Sequence, residues 1–275
     1  MILSVIGLGA FGRWLIHQFY IQGFQVKGFD IDPWKIEELR SSGIKGYNNL
    51  REAIEDADII FIAVPVNKAS SVVEEVSKHI ARGVIIDVSS LKKPVYSIMK
   101  SLPEDLKPVS IHPLFGPTAS GFKDEKIVLI PIRNSLEERE IIEKIMPGVK
   151  IIEATVEEHD KAMTYILSLT HLLSIAITNI LKDVEDWKII EELSGTSFKH
   201  MCRMLNATLT ESVDTFTSIL YYNKGTKQLS LNLSRQFNEI AQTISREDYI
   251  DLRRLIEEKI EIYSKLDFIR RGASP

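Results

Sequence analysis

The chain opens with Ile2-Leu3-Ser4-Val5-Ile6, which runs directly into Gly7-Leu8-Gly9-Ala10-Phe11-Gly12, and an amphipathic segment follows through about Gln22. A strand, then G-x-G-x-x-G, then a helix restricts the chain to folds in which a parallel strand feeds a tight turn into a helix N-terminus. Gly7 permits the turn, Gly9 lets the backbone approach an anion, and Gly12 lets helix and strand pack closely. The helix start, beginning with Ala10 and Phe11, offers free N–H groups and a positive dipole end to a pyrophosphate. Asp30 closes the next apolar run, Gln25–Phe29, at about the expected 20 residues on. A carboxylate there would accept hydrogen bonds from ribose 2′- and 3′-hydroxyls and repel a 2′-phosphate. The expectation is a dinucleotide site that takes NAD in preference to NADP, with Arg13 and Lys35 as cations that soften the preference.

Asp32-Pro33 reads as an N-cap with proline at the first helical position. Residues 58–64 form a near-continuous apolar run, the pattern of a strand buried on both faces. Strand signals recur at 84–88, 108–111 and 127–131, alternating with helical patterns near 67–79, 93–101 and 135–146. That alternation predicts an α/β fold over residues 1–153, a Rossmann-type doubly wound and mostly parallel sheet. No strand pattern recurs after Thr155, which has capping-box spacing to Glu158. Helices are expected near 187–193, 210–222, 228–244 and 246–269. The last carries Ile250, Leu255, Ile256, Ile260, Tyr263 and Leu266 in a one-sided pattern. Residues 154–275 therefore read as an all-α domain.

Composition narrows the classes. The net charge of −4, with no long Lys/Arg run, argues against a nucleic-acid surface. Cys202 is the single cysteine and reads as a core residue, so no disulfide framework exists and a cytoplasmic location is expected. The first residues lack the basic region of a signal peptide. No charged side chain lies between Lys161 and Lys182, a gap near the roughly 20 residues that span a bilayer. Thr164, Ser168, His171, Ser174 and Thr178 nevertheless recur at steps of three and four, a polar stripe that suits a buried helix beside a polar cleft rather than a membrane. No His/Cys spacing suggests a metal. Trp14, Trp34 and Trp187 read as packing residues, and His17 and His79 as structural.

The remaining candidates gather at the carboxyl ends of strands, the edge where open α/β sheets bind ligands. Val64 and Pro65 end one strand, Ser89 and Ser90 the next, and His112-Pro113 a third. A neutral imidazole at His112 could take a hydroxyl proton as hydride leaves the same carbon.

Asp87-Val88-Ser89-Ser90-Leu91-Lys92, His112-Pro113-Leu114-Phe115-Gly116, His159-Asp160, His171 and Ser197-Phe198-Lys199-His200-Met201-Cys202-Arg203 together resemble prephenate/arogenate dehydrogenases, over roughly residues 1 to 240. The resemblance implies an NAD(P)-dependent oxidative decarboxylation on the route to tyrosine, with prephenate as the leading substrate and arogenate as the alternative. It implies that Ser90 bonds near the histidine and the substrate hydroxyl, and that His112 deprotonates that hydroxyl. Arg203 would grip a carboxylate through its planar fork, and His171 would line the substrate pocket. It also implies a homodimer through the helical domain. Thr118 stands on the substrate side where some bacterial members carry an acidic residue, and His200 stands where many carry another. Because prephenate is a dianion, positive potential must be gathered locally, by Arg203 and by Lys92 or Lys199. His159 is given no role.

Two rival readings remain. A β-hydroxyacid dehydrogenase would share Asp87-Val88-Ser89-Ser90 and Pro94, but it needs a glycine-rich start to the long helix, and no glycine lies between Ile151 and Asn179. A non-catalytic NAD(H)-sensing protein would keep the glycine loop and Asp30 without needing Ser90, His112 and Arg203.

Overall fold

The computed structural model describes residues 1–266. The first half alternates β1 (Ile2–Ile6), α1 (Ala10–Ile21), β2 (Gln25–Phe29), α2 (Pro33–Ser41), β3 (Lys45–Tyr47), α3 (Leu50–Ile54), β4 (Ile59–Ile62), α4 (Val66–His79), β5 (Gly83–Asp87), α5 (Lys93–Lys100) and β6 (Leu106–Pro113). It closes with β7 (Lys126–Ile130), α6 (Ser135–Ile145) and β8 (Lys150–Glu153). The eight strands form one sheet in the order β3-β2-β1-β4-β5-β6-β7-β8, and β6–β7 is its antiparallel pair. This is the doubly wound, mostly parallel sheet that the alternation predicts.

The apolar run of β4 is explained by burial on both faces. Ile59 and Phe61 join a core with Leu15, Ile16 and Phe19 of α1, Ile36 and Leu39 of α2, and Ile142 and Ile145 of α6. Ile60 and Ile62 join the opposite core with Ala53 of α3, Val73 and Val76 of α4, and Val95 and Met99 of α5. The anticipated cap of α2 forms, with the Trp34 N–H donating to Asp32 Oδ1 at 3.0 Å. The short elements β3, α3 and β8 were not anticipated, since three to five residues carry too little periodicity to read.

Helices follow β8: α7 (Val156–Met163), a π-helical turn (Thr164–Ser168), α8 (Leu169–Leu181), α9 (Trp187–Leu193), α10 (Thr196–Leu209), α11 (Val213–Tyr222), α12 (Thr226–Ser245) and α13 (Tyr249–Ser264). The capping box opens α7 as expected, with Glu158 N–H to Thr155 Oγ1 at 3.2 Å and Thr155 N–H to Glu158 Oε2 at 2.9 Å. Helix α10 lies outside the expected helical ranges. The expected range 246–269 runs past the described residues, so Ile269 lies outside them.

One continuous helical stretch among the described residues, Val156–Leu181, is long and apolar enough to cross a membrane by length and composition. Its polar stripe is spent on protein partners. Thr164 Oγ1 donates to Asn223 Oδ1 at 2.8 Å, Thr226 Oγ1 to Ser168 Oγ at 2.9 Å, and Ser174 and Thr208 share a 2.7 Å bond. Thr178, the last of the stripe, is exposed. The π turn puts one extra residue into the helical register across Thr164–Ser168, and both ends of it bond within residues 223–226.

Residues 1–226 form one compact unit, and the remainder of α12 forms a second with α13. Within the second, Asp248 caps α13 by accepting from the N–H groups of Ile250 and Asp251 at 2.8 and 3.1 Å. Three packing expectations fail. Cys202 is exposed on α10, Trp34 is 84% exposed, and Trp187 is exposed at the start of α9. Apolar residue type raises the chance of burial without deciding it.

Candidate active site

The glycine loop forms because two of its three glycines, Gly7 and Gly12, cannot hold a side chain. Gly7 has φ +99°, and its N–H reaches the Phe29 carbonyl at 2.8 Å. A Cβ at Gly7 would strike the Ala63 carbonyl, and one at Gly12 would strike the carbonyl of Gly7. Gly9 differs, because a Cβ there would meet nothing within 4 Å. Gly9 is the N-cap of α1 and makes no side-chain cap, so the first-turn amides at Ala10 and Phe11 face this open space. The buried Asp30 carboxylate is held beside it by the Leu8 N–H at 2.7 Å and the Asp32 N–H at 2.9 Å. Lys35 Nζ lies 3.4 Å from both of its oxygens, while Arg13 is paired with Glu38. An amide-lined helix end with room for phosphate, next to a fixed carboxylate, fits a dinucleotide. Val64, Pro65 and Ser89 follow β4 and β5 on the same sheet edge. The Ser89 hydroxyl is turned inward, onto the Leu91 carbonyl at 3.0 Å.

The second constellation centres on His112, which stands at the end of β6 opposite Val128 of β7 and is buried. His112 Nδ1 lies 2.9 Å from His159 Nε2, and His159 Nδ1 lies 2.7 Å from Asp160 Oδ1. The Asp160 carboxylate also accepts the Lys92 and Lys93 amides, each at 2.9 Å, and so ties the start of α5 to α7. Burial pulls the Asp160 carboxyl upward, but the His159 bond and these two amides outweigh it and leave it below its ordinary value. His112 is held well below the usual imidazole range, first by burial and then by the charges of His159 and Lys92. Sequence reasoning left His159 and Asp160 without a role. Their signals were the His-Asp pair in the first turn of a capped helix and its place among the motifs that carry the family resemblance.

Lys92 corrects an expectation. Its side chain is wholly buried, with Nζ 2.8 Å from Asp87 Oδ2 and a further bond to the Ile111 carbonyl. Asp87 also accepts Ser110 Oγ at 2.9 Å and the Ser89 N–H at 3.0 Å. This ammonium cannot face a substrate, and it instead braces β5 against the residue that precedes His112. Burial lowers the Lys92 pKa in spite of the favourable Asp87 contact.

His171 is likewise turned inward. Its ring nitrogens lie 2.7 Å from the Leu167 carbonyl and 3.3 Å from Glu211 Oε2, against the Phe216 ring, so it presents no pocket wall. Ser90 is half-buried, and its hydroxyl bonds to no described residue, which leaves it open to a ligand. Arg203 on α10 and Thr118 in the β6–β7 loop are exposed, and neither is bonded to the His112 network. A cavity of about 440 Å³ among Tyr96, Pro131 and Glu153–Glu158 contains none of the expected site residues. No cluster with metal-ligand character exists among the described residues.

Residues 18–157 match the family model of the prephenate dehydrogenase nucleotide-binding domain, and residues 155–258 match that of the prephenate dehydrogenase dimerization domain. The chain belongs to the prephenate dehydrogenase family. The first match begins after the glycine loop, so the loop stands on its own geometry. Among relatives in this family, a Methanocaldococcus jannaschii protein named as an arogenate/prephenate dehydrogenase is 26% identical over 90% of this chain and 57% of its own. A Lactococcus lactis prephenate dehydrogenase is 24% identical over 99% of this chain and 79% of its own. This chain therefore spans little more than half the length of the archaeal relative. The fold is shared with a prephenate dehydrogenase from A. aeolicus, solved with hydroxyphenyl propionate and NAD⁺, at a TM-score of 0.74, 19% identity and coverage of 97% of this chain and 98% of that one.

Proposed function

We propose that this prephenate dehydrogenase family member carries out the NAD-dependent oxidative decarboxylation of prephenate to 4-hydroxyphenylpyruvate. The observation that carries the reading is the chain His112–His159–Asp160. Asp160 can only accept, so His159 donates from Nδ1. With both rings neutral, His159 Nε2 then accepts from His112 Nδ1. That order leaves the lone pair of His112 on Nε2, available to a ligand hydroxyl. Burial keeps His112 neutral in ordinary buffers, which is the state a general base requires.

The bound dinucleotide supplies the hydride acceptor. His112 takes the hydroxyl proton as the carbinol carbon is oxidised, and the ring carboxylate leaves as CO2 while its electron pair aromatises the ring. His112 then returns the proton to the phenolate oxygen, so the step closes without net proton release. In this reading Ser90, whose hydroxyl is free, orients the substrate hydroxyl, and Arg203 holds a carboxylate. Asp30 favours NAD over NADP through its buried, doubly bonded carboxylate. Exposed apolar side chains at Tyr165 and Ile166 in the π turn, Ile180 of α8, and Val213 and Tyr221 of α11 support a homodimer through the helical segment, as does the dimerization-domain match.

NADH formation measured with prephenate and arogenate in parallel, each with NAD⁺ and NADP⁺, tests the reading. His112→Asn should lose about 10²–10⁴-fold in turnover while keeping NAD affinity. Full turnover in that variant, or no turnover of either substrate by the wild type, overturns it.

A further inference from the structure

The loop between β6 and β7, residues 114–125, leaves the sheet directly after His112-Pro113. Its tip is tied down at one point. Across residues 115–121, among the described residues, the hydrogen bond that reaches the rest of the protein runs from the Trp14 indole N–H to the Ala119 carbonyl, at 2.8 Å. The tip's other bond is internal, from the Ala119 N–H to the Gly116 carbonyl at 3.1 Å. Trp14 belongs to α1, and its ring stacks on Phe11 in the first turn of that helix, with centroids 5.6 Å apart. The same indole meets Phe115 and Phe122, which flank the tip, edge-on at 5.5 Å each. One side chain thus joins the helix that follows the glycine loop to a loop rooted at His112. Thr118 and Ser120, on either side of Ala119, are exposed, and their hydroxyls bond to no described residue.

We infer that Trp14 is a positioning residue for the substrate, acting through the bond that pins Ala119. This inference rests on the reaction proposed above, in which a dinucleotide held at α1 and the base His112 must meet at one carbon. A loop rooted beside His112 and pinned at its tip to α1 borders the gap between them. Fixing the Ala119 carbonyl fixes the backbone on both sides of it, and with it the two free hydroxyls. A substrate that meets those hydroxyls is then spared the entropy of ordering the loop. Phenylalanine at position 14 would keep the aromatic contacts but has no N–H to give. The Ala119 carbonyl would turn to water, and the loss would fall on substrate affinity. The His112–His159 contact does not pass through this loop, so the proton transfer itself would be untouched.

The experiment compares wild type with Trp14→Phe by steady-state kinetics on prephenate and NAD⁺, and by hydrogen exchange over residues 114–125. Trp14→Phe should raise the prephenate KM about threefold to tenfold, what one ordinary hydrogen bond contributes, while kcat and the NAD⁺ KM stay within about twofold. Exchange across the loop should quicken, and ADP-ribose, measured by calorimetry, should bind both proteins equally. In a Thr118→Ala/Ser120→Ala background, Trp14→Phe should raise the prephenate KM by less than about twofold, because the groups it positions are gone. An unchanged prephenate KM in Trp14→Phe overturns the proposal, as does an undiminished effect in that background. Weaker ADP-ribose binding in Trp14→Phe would mean damage to α1 and also overturns it. Absence of turnover in wild type removes the proposed reaction and this role with it, and the exchange comparison then still reports whether Trp14 holds the loop.

Discussion

Replacing Lys92 with methionine distinguishes a buried brace from a substrate-binding cation. Neither Lys92 nor Asp87 has any exposed side-chain surface, and their charged atoms are 2.8 Å apart. The substitution keeps the aliphatic volume but leaves Asp87 with only two donors, Ser110 Oγ and the Ser89 N–H, and deprives the Ile111 carbonyl of its Nζ bond. Breaking one side of a buried pair costs about 3–5 kcal/mol. At roughly 2–4 °C per kcal/mol for a protein of this size, the Tm should fall by about 6–20 °C. Circular dichroism on the ligand-free protein at neutral pH measures it. Adding Asp87→Asn removes the stranded charge and should recover more than half of the loss. A cation that met substrate at the surface would instead raise KM and leave the Tm in place. A Tm for Lys92→Met within about 2 °C of wild type would refute the assignment of a structural brace.

Gly9→Ala and Gly12→Ala should part company. The first fills open space and should hold the Tm while weakening NAD binding, whereas the second collides with the Gly7 carbonyl and should cost about 1–3 kcal/mol of stability, read from urea midpoints. His159→Asn removes the orienting bond and the electrostatic contribution by which this neighbour lowers the His112 pKa, so kcat should drop roughly 10²-fold and the acidic limb of kcat/KM should move up toward the ordinary imidazole value. An unmoved limb would detach His159 from His112. Because the folded state depresses the His112 pKa, its contribution to stability is complete above 6.5 and is lost as pH falls below that value. Urea midpoints at about pH 7.5 and 5.5 should show wild type losing about 1 kcal/mol more than His112→Asn across that interval, and equal losses would contradict the burial argument.

What could be read from the chain, and what could not, divides along physical lines. The glycine loop, the Asp32 and Thr155 caps and the two-faced burial of β4 depend on residues close in sequence, where backbone chemistry writes a local pattern. His112 and Ser90 were placed on the right edge because strand ends follow from strand positions. The His112–His159 contact joins residues 47 apart, on a strand and a helix whose packing no periodicity announces. Lys92 was misread for a related reason, since a lysine is solvated unless a distant carboxylate meets it, and Asp87 reaches it only after β5 turns into α5. The π turn was invisible because Thr164 to Ser174 keep ordinary helical spacing, and the extra residue shows only in the backbone bonds.

The Asp160 carboxylate has a consequence for movement. It binds the two amides at the start of α5 while its neighbour His159 holds the ring of His112, so α7 is fastened to the sheet within a few residues of leaving it. Residues 154–155 mark where strand gives way to helix, yet they are no hinge. Bending there would break three bonds at once and strip the His112 ring of its His159 partner. A cleft that opens and closes around a ligand must pivot farther along the chain, and His112 travels with the sheet throughout.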